Sequence, residues 1–418
     1  MRQIKNSGIE WIGEIPVDWE LIKIGSIFRC RNEKVNDTDY PPLSVTKNGI
    51  VPQMENVAKT DANDNRKMVK VNDFVINSRS DRKQSCGVSE LEGSVSLINT
   101  VLFTENADVI LPEYTNLIMK NYGFAEEFYR WGHGIVADLW TTRWQEMKSI
   151  VLPLPSTHQQ KKIVEVMRKK ISSIDSLIAH EEVAIEELKA YKQSVITETV
   201  TKGFDKSVPM KDSGVEWVGE IPESWSVNRI KFIATYNDET LSDKTDLDFE
   251  ISYVDIGSVS LENGIEKIEK YSFGTAPSRA RRIVRQGDVI ISTVRTYLKA
   301  ITRIDRDGLI VSTGFCVLRP IKMVDKFVEY FCKSNVFTNN VASHSVGISY
   351  PAINATELVA FYICQPNEQE QQKIAAYLDK KCADIDSLIS IKQQKIEELK
   401  EYKKSLIYEY VTGKKEVA

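Results

Sequence analysis

Apolar residues recur at steps of three and four along two long segments of this chain, and the two segments are near copies of each other. The first covers residues 159–201 and the second residues 370–412, with about half of the aligned positions identical. The apolar stripe is interrupted at Glu181 in the first copy and at Lys392 in the second, which is the same place in the repeat. Such spacing is typical of an amphipathic helix with a heptad seam. The pattern therefore predicts two long, matching helices in a duplicated chain.

Each predicted helix is too long to be covered by one small domain. A helix of about 43 residues spans on the order of 65 Å. Two apolar stripes of equal length can bury each other, and two equivalent units in one chain pair most simply about a local two-fold axis. We therefore expect an antiparallel coiled coil, with the remaining parts of the two halves at its opposite ends. The alternative is that each helix packs only on its own half.

Outside the helical segments lie two blocks of unlike sequence, residues 20–155 and 226–366. Both contain short β-type runs bounded by Gly, Asn and Asp, such as "DFVINS" and "GDVIISTV", and stretches such as "VDKFVEYFCKSNVF" predict short helices. We predict an α+β fold class, with two α/β domains joined by the two long helices in a pseudo-two-fold internal repeat. The predicted division of the chain is 1–155, 156–202, 203–225, 226–366 and 367–414.

A second repeat precedes each variable block. "SGIEWIGEIPVDW" runs from Ser7 to Trp19, and "SGVEWVGEIPESW" runs from Ser213 to Trp225. In these two tryptophan motifs, Trp and Ile are suited to packing, whereas Gly and Pro are suited to turning the chain. We expect the motifs to attach each variable block to the shared helices. A partner-docking surface is the alternative.

Composition narrows the class of protein. Of the 418 residues, 42% are hydrophobic and 27% are charged, which is typical of a globular protein. The six cysteines and four histidines are dispersed, without a C-x-x-C pair, so we expect neither a disulfide framework nor a metal centre. No apolar run approaches the roughly 18 residues of a membrane span, and the first residues lack an apolar signal core. We therefore expect a cytoplasmic protein.

Catalytic signatures are missing from the sequence. It contains no G-x-x-x-x-G-K-[ST] phosphate loop, no G-x-S-x-G, no H-E-x-x-H and no N-P-P-[FY] stretch of the kind that amino-methyltransferases use. We therefore expect no intrinsic enzymatic activity. The net charge of −4 by itself argues against nucleic acid as a partner. Cationic segments such as "SRSDRK" and "SRARRIVR" leave that question open, because a surface field depends on where the charges sit.

Polar and cationic side chains cluster in predicted loops of both variable blocks. Arg, Lys, Asn and Gln can read base edges in the major groove, and Arg, Lys, Ser and Thr can hold phosphates. Any single one of these residues could equally be a solvated surface residue, but as clusters they indicate a binding surface. The candidates in the first block are Asn77, Arg79, Arg82, Lys83, Gln84, Arg130, His133, Thr142 and Arg143. The candidates in the second block are Arg279, Arg281, Arg282, Arg295, Lys299, Asn339, Asn340, His344 and Tyr350.

With both repeats in view, the chain resembles the specificity subunit of a type I restriction–modification enzyme. The resemblance covers nearly the whole length and rests on the tryptophan motifs, on "LPLPSTHQQKKI" and "CQPNEQEQQKI", and on the twin helices with "IDSLI" and "IEELK". It implies two target recognition domains, each reading one half of a split DNA site, held apart by the antiparallel coiled coil. It also implies two modification subunits, which use S-adenosylmethionine to methylate adenine, and restriction subunits, which use ATP and Mg. No cofactor is implied in this chain.

The residue patterns and the resemblance agree on an expected function. Because the two variable blocks differ in sequence, we expect an asymmetric bipartite target in double-stranded DNA, with an unread spacer between the half-sites. The chain would be a non-catalytic DNA sequence-recognition subunit that docks the methyltransferase and restriction subunits. Two alternatives are a coiled-coil adaptor whose end domains bind other proteins, and a self-sufficient nuclease or methyltransferase, which would need motifs that this sequence lacks.

Overall fold

The chain forms two compact units. Unit 1 comprises Met1–Glu182 and Gln394–Ala418, and unit 2 comprises Val183–Gln393. Each unit therefore contains one variable block together with parts of both long helices. The α+β fold class predicted from the sequence is confirmed, since both units combine small β-sheets with helices. The computed structural model describes residues 2–53, 64–79, 82–106, 108–134 and 140–417.

The chain up to residue 202 forms short strands, short helices and one long helix. Its strands are β1 (Ile4–Asn6), β2 (Glu14–Pro16), β3 (Glu20–Lys23), β4 (Arg29–Cys30), β5 (Lys34–Val35), β6 (Leu43–Thr46), β7 (Gly49–Pro52), β8 (Arg66–Val69), β9 (Phe74–Asn77), β10 (Cys86–Val88), β11 (Gly93–Val95), β12 (Asn99–Phe103) and β13 (Val151–Leu154). Its helices are α1 (Ile24–Ile27), α2 (Pro112–Lys120), α3 (Tyr122–Arg130), α4 (Trp144–Met147) and the long helix α5 (Thr157–Lys202).

The rest of the chain repeats this order. Its strands are β14 (Met210–Asp212), β15 (Glu220–Pro222), β16 (Ser226–Arg229), β17 (Ala234–Tyr236), β18 (Glu250–Val254), β19 (Val259–Ser260), β20 (Gly264–Ile265), β21 (Glu269–Ser272), β22 (Ala280–Ile283), β23 (Val289–Ser292), β24 (Ile301–Arg303), β25 (Leu309–Ser312), β26 (Phe315–Pro320) and β27 (Tyr362–Gln365). Its helices are α6 (Ile230–Ile233), α7 (Asp325–Lys333), α8 (Asn335–His344), α9 (Ala355–Leu358) and the long helix α10 (Glu368–Val411). Two 3₁₀ turns cover Ile256–Ser258 and Thr296–Leu298.

Both units contain the same sheet arrangement. A four-stranded antiparallel sheet has the order β10-β9-β12-β4 in unit 1 and β24-β23-β26-β17 in unit 2. Next to it, β8 pairs antiparallel with β11, as β22 does with β25. Strand β3 pairs with β13 as β16 does with β27. Each tryptophan motif contains the connection and the second strand of a hairpin, β1–β2 in unit 1 and β14–β15 in unit 2. The internal repeat therefore extends through the variable blocks, although their sequences are unlike.

A central strand separates two apolar cores in each unit. Phe74 and Ile76 of β9 lie in the larger core of unit 1, whereas Val75 lies in the smaller one. The alternate residues of "VIIS" in β23 divide between two cores of unit 2 in the same way. Successive side chains of a strand point to opposite faces, so a strand that is covered on both faces becomes a continuous apolar run.

A pair of short helices follows the central sheet in each unit. Asn121 starts α3 by accepting a hydrogen bond from the Phe124 N–H (3.0 Å), and Ser334 accepts one from the Phe337 N–H at the start of α8 (3.4 Å). Side-chain oxygens at this position stabilise a helix start because the first N–H groups lack a partner inside the helix. One sequence expectation is corrected here: residues 339–344, expected in a loop, form the second half of α8.

Within unit 1, segments of the two long helices pack antiparallel. The Lys403 ammonium lies 2.6 Å from an oxygen of Asp175, and the Lys395 ammonium lies 2.6 Å from an oxygen of Glu181. Residue numbers fall along α10 as they rise along α5, so the segments run in opposite directions. Glu181, which interrupts the apolar stripe, is therefore bound by a cation from the facing helix. The buried seam residues are Ile163, Met167, Ile174, Leu406, Tyr410 and Val411.

The other halves of the long helices pack in the same manner within unit 2. The Lys192 ammonium lies 2.7 Å from an oxygen of Asp386. Twelve residues further along α5, beyond its last residue, the centroid of the Phe204 ring lies 5.8 Å from that of Tyr377, which precedes Asp386 in α10. Here too the direction is antiparallel, as predicted. The buried seam residues are Ile196, Val200, Ile374, Leu378 and Cys382.

The first tryptophan motif packs against the end of α10 inside unit 1. Trp11 and Trp19 are buried in the larger core. The Tyr408 hydroxyl donates to the carbonyl of Trp11 (2.8 Å), and the Tyr114 hydroxyl donates to the carbonyl of Val411 (3.2 Å). Chain segments almost 400 residues apart therefore close one core, and the predicted packing role of these tryptophans is confirmed.

The second tryptophan motif packs in the same way inside unit 2. Trp225 is buried, and its ring stands edge-on to Phe327 at 6.5 Å between centroids. Trp217 packs similarly against Phe331 at 6.4 Å. At the end of α5, Gly203 has a φ of +71°, and a side chain there would contact the Trp225 ring. Glycine thus ends the helix at a position where the left-handed backbone disfavours other residues.

A buried glutamine side chain forms hydrogen bonds with the backbone at each junction between a variable block and its long helix. The Gln160 amide accepts a hydrogen bond from the Leu111 N–H (2.9 Å) and donates to the carbonyls of Val109 (2.9 Å) and Pro155 (3.0 Å). In unit 2, Gln371 accepts from the N–H that starts α7 (2.8 Å) and donates to a proline carbonyl (2.7 Å). The glutamines of the two junction motifs are therefore structural, because each satisfies backbone groups that would otherwise be buried without partners.

A buried aspartate anchors the central strand of each unit. Arg31 forms a bidentate pair with Asp73 (2.7 and 3.0 Å), and Arg319 forms one with Asp288 (2.9 Å for both bonds). Each carboxylate also accepts the backbone N–H three positions earlier in the chain. Hydrogen bonding to Asp288 raises the pKa of Arg319 further above its usual value. These aspartates therefore hold the turn that enters β9 and β23 in place.

Candidate nucleic-acid interface

The turn that leaves the central strand is built alike in both units. It connects β9 to β10 over residues 78–85 and β23 to β24 over residues 293–300; residues 80 and 81 lie outside the described part. The Asn77 N–H donates to the Ser85 carbonyl, and the Ser292 N–H donates to the carbonyl of residue 300, both at 2.9 Å. Near the end of the turn, Gln84 and Lys299 have φ of +62° and +47°. We call these segments the strand-exit turns.

In unit 1 a second loop folds against the strand-exit turn. His133 and Thr141 exchange backbone hydrogen bonds of 2.9 and 3.0 Å, and the Thr142 N–H donates to the carbonyl of Ser78 (3.0 Å). Arg79 and Thr141 form an isolated antiparallel β-bridge. Several predicted residues therefore lie at one corner of the sheet. Those lining the same cleft are Asn77, Arg79, Arg82, Lys83, Gln84 and Thr142.

The side chains at this corner differ in what they can offer a ligand. Arg79 and Arg82 are exposed. Lys83 is already engaged, with its ammonium 3.1 Å from Glu126 and 4.2 Å from the Tyr129 ring centroid. Thr142 is buried and its hydroxyl donates to a backbone carbonyl (2.6 Å). Exposure therefore favours Arg79 for direct contact with a ligand, and burial gives Thr142 a supporting position.

Two further predicted cations of unit 1 lie outside this cleft. Arg130 ends α3 and pairs with Glu10 of the tryptophan motif (2.7 Å). Arg143 is exposed at the start of α4 and lines a neighbouring cleft with Lys67. Sequence reasoning missed Lys67, which donates to a backbone carbonyl (2.7 Å) and whose pKa burial lowers. In the sequence Lys67 stands between the cations Arg66 and Lys70, so nothing there singled it out.

In unit 2 the strand-exit turn carries two cations in an uncommon conformation. Arg295 and Lys299 have φ of +53° and +47° and bracket the 3₁₀ turn Thr296–Leu298. Residues other than glycine adopt this region at an energetic cost, and such positions concentrate at functional sites. The exposed Arg295 guanidinium lies 5.1 Å from the Tyr350 ring centroid. The structure therefore brings together two predicted residues, Arg295 and Tyr350, that are 55 positions apart in the sequence.

The arginines of "SRARR" lie on the other sheet of unit 2. Arg281 stacks on Phe273 (4.4 Å to the centroid), with Asp243 at 3.9 Å. Arg282 is half-buried, and burial lowers its pKa. Arg279 precedes the strand and is exposed. The pairing of β22 with β25 shifts its register between Ala280 and Arg282, so Arg281 lies at an irregularity of the strand.

Three predicted polar residues lie on α8 rather than in a loop. Asn340 is buried, whereas Asn339 is exposed. The His344 Nδ1 lies 2.9 Å from the Asn340 carbonyl, and its ring stands edge-on to Phe361 at 5.0 Å. Asn340 and His344 therefore support the helix end that leads into the loop next to the strand-exit turn.

Among the described residues no three or more His, Cys, Asp or Glu side chains come together as a metal site. No helix in the described part of the chain has the length and apolarity needed to cross a membrane. All six cysteines are free thiols, so no disulfide joins these elements.

The two units thus present different side chains at the equivalent corner of the same sheet. Residues 222–401 match the family described as the type I restriction modification DNA specificity domain. The putative type I restriction enzyme MjaX specificity subunit of Methanocaldococcus jannaschii is 24% identical over 430 residues, which cover 96% of this chain and 95% of that protein. The MjaVIII specificity subunit of the same organism is 24% identical over 289 residues, covering 64% of this chain and 62% of that protein, less than two thirds of its length.

Two solved structures are similar to this chain in fold. A chain from a study of complex assembly and conformational transition of the type I R-M system superimposes with a TM-score of 0.69 at 15% identity, covering 95% of this chain and 98% of its own. The HsdS subunit of Thermoanaerobacter tengcongensis gives a TM-score of 0.52 at 15% identity, covering 96% and 98%. The chain therefore shares its fold with these two structures over almost its whole length.

Proposed function

We propose that this chain recognises DNA sequence for a type I restriction–modification complex, reading an asymmetric bipartite site with one variable block per half-site. The strand-exit turns carry this proposal. They occupy the same place in the same sheet, yet Arg82 and Lys83 in unit 1 stand where unit 2 has Tyr297 and Leu298. Because base edges are read by side-chain type, equivalent scaffolds with unlike side chains suit unlike half-sites.

Exposed arginines at the two turns are the proposed base-reading residues. Arg79→Ala or Arg295→Ala should cost about 1–3 kcal/mol of binding free energy if the guanidinium makes a bidentate contact with guanine. The measurement is titration of the assembled complex with duplexes that vary one base pair at a time. Arg168→Ala, which removes an exposed arginine from α5, is the matched control. Unchanged affinity and sequence preference in both turn variants would assign these arginines to the scaffold.

Partner subunits supply the chemistry in this proposal. Two modification subunits would bring S-adenosylmethionine and methylate adenine, and restriction subunits would bring ATP and Mg-dependent DNA cleavage. This chain would contribute neither a cofactor nor a catalytic residue, and it would act on DNA in the cytoplasm. The specificity-subunit relatives and the absence of catalytic motifs from the sequence support this division of labour.

Exchange of one variable block tests independent reading of the half-sites. Residues 20–155 are replaced by the corresponding block of another specificity subunit, and adenine methylation is mapped across the genome. We expect one half-site to change and the other to stay, and the reciprocal exchange of residues 226–366 should alter the opposite half. A change of both half-sites in either exchange would contradict one block per half-site, and two identical half-sites would contradict the predicted asymmetry.

A direct binding assay distinguishes a protein-binding adaptor from a protein that recognises DNA sequence. The assembled complex is titrated with a duplex carrying the mapped site and with a scrambled duplex, at several salt concentrations. Sequence-dependent binding that weakens with salt supports the proposal. Equal binding to both duplexes would leave the variable blocks without a sequence-reading role.

A further inference from the structure

An exposed apolar loop stands next to the strand-exit turn of unit 2. In residues 345–351, "SVGISYP", the alternate residues Val346, Ile348 and Tyr350 all face solvent, and Ile348 is fully exposed. Tyr297 and Leu298 of the neighbouring turn are exposed as well. Large apolar side chains that share one exposed patch indicate a binding surface, whereas single ones are ordinary.

The base of this loop is fixed by hydrogen bonds. Val346 and Ala352 exchange backbone bonds of 2.9 and 3.0 Å, and the Thr296 hydroxyl donates to the Ser345 hydroxyl (2.8 Å). Gly347 has a φ of +116°, and a Cβ there would lie 3.1 Å from the Tyr350 carbonyl oxygen. The loop is therefore built to hold its apolar side chains outward, and we call residues 345–351 the apolar finger.

Charge next to the finger favours an anionic partner. Arg295 and Lys299 flank the 3₁₀ turn, and Arg295 stacks on Tyr350 within the finger. Neither the strand-exit turn (293–300) nor the finger contains an acidic residue. The equivalent turn of unit 1 holds two exposed arginines. A double-stranded polyanion with apolar groups on its base edges matches both properties, because its phosphates attract the cations and thymine offers a methyl group in the major groove.

We propose that the apolar finger reads thymine in the half-site of unit 2, with Ile348 packing against the C5-methyl group in the major groove. This inference rests on the proposed function and adds the chemistry of one base contact to it. Lys299 positions the finger through phosphates, and the restrained base of the finger limits the conformational freedom lost on binding. Unit 1 has Arg82 and Lys83 where the turn of unit 2 has Tyr297 and Leu298, so the two half-sites are read by different interactions.

The test removes the thymine methyl group and the Ile348 side chain, first separately and then together. The assembled complex is titrated with duplexes in which deoxyuridine replaces, one at a time, each thymine of the half-site that changes on exchange of residues 226–366. Removing a buried methyl group should weaken binding about fourfold at the contacted thymine. Ile348→Ala should weaken binding to the thymine duplex on the order of tenfold, with a smaller effect on the deoxyuridine duplex because the shared contact is already lost.

Matched variants distinguish the possible outcomes. Ile321→Ala removes another exposed isoleucine of unit 2 and should leave affinity unchanged, while Ile348→Leu should retain most of it. If Ile348→Ala has no effect, or combines additively with every deoxyuridine, the thymine contact is refuted while the proposed function stands. Loss of the modification subunits from the Ile348→Ala complex would also refute it, since the finger would then bind protein. Failure of the unaltered complex to prefer its site over scrambled DNA would instead refute the proposed function.

Discussion

The packing of the end of α10 against the first tryptophan motif in unit 1 can be tested with one substitution. Leu406 lies near the end of α10 and is buried in the core that also contains the first tryptophan motif. Leu406→Ala removes apolar atoms from that core without changing charge or helix propensity unfavourably. We expect unit 1 to be destabilised, although nearly the whole chain separates residue 406 from residues 7–19.

The magnitude follows from the burial of this side chain. Leu→Ala substitutions at buried positions cost about 2–5 kcal/mol, the larger values applying where the surroundings cannot collapse into the cavity. The hydrogen bonds from Tyr408 to Trp11 and from Tyr114 to Val411 hold the surrounding backbone. We therefore expect about 3 kcal/mol, which raises the population of the locally opened unit on the order of 100-fold.

Hydrogen exchange of the whole chain measures this effect unit by unit, which is needed because a two-unit chain need not unfold in a single step. Peptides from the first tryptophan motif and α2 should lose protection, whereas peptides from β23 and α7 should keep it. Leu388→Ala, on the exposed side of the same helix, is the control and should change neither set. If Leu406→Ala weakened protection of α7 while sparing the first tryptophan motif, the assignment of this helix end to unit 1 would be wrong.

Two further predictions concern the buried groups of the units. Asp288→Asn should destabilise unit 2 by about 2 kcal/mol, because Arg319 would lose its charged bidentate partner and keep Glu239 at 2.6 Å, and unit-resolved hydrogen exchange measures the change. Burial raises the pKa of the Cys86 thiol to about 12, so at pH 8 it stays protonated and should resist iodoacetamide, whereas the half-buried Cys30 should be labelled first by mass spectrometry.

Both predictions have internal controls. Asp305→Asn changes an exposed carboxylate of the same unit and should leave its stability unaltered. Equal exchange rates for Asp288→Asn and Asp305→Asn would show that the arginine pair contributes little. For the thiols, denaturation should equalise labelling. Faster labelling of Cys86 than of Cys30 in the native protein would mean that β10 opens readily.

The repeat and the helix periodicity alone predicted much of this fold. The spacing of residues such as Ile163 and Met167 gave the long helices, and their matching copies indicated antiparallel pairing. The tryptophan motifs were assigned a packing role because Trp and Ile side chains are better suited to a core than to an exposed surface. These predictions succeeded because they depend on local periodicity and residue type, which the chain order contains directly.

The candidate site was less accessible to sequence reasoning. Arg79 and Arg82 could be found from their cluster, but the segment with Asn340 and His344 was expected in a loop and forms a helix. The helix forms because Ser334 caps its start and Phe337 and Val341 are buried in the core of unit 2. The exposed side chain of Ile348 was overlooked, because an apolar residue is expected inside unless the packing around it is known.

The sequence by itself therefore determined the duplication, the fold class and the residue types available for recognition. Only the tertiary structure decided which of them meet: the end of α10 with the first tryptophan motif, and Arg295 with Tyr350. The physical reason is that local pattern specifies which face of an element is apolar, whereas the partner of that face is selected by burial and shape complementarity between distant segments. The same packing decides which side chains remain in solvent and can meet a ligand.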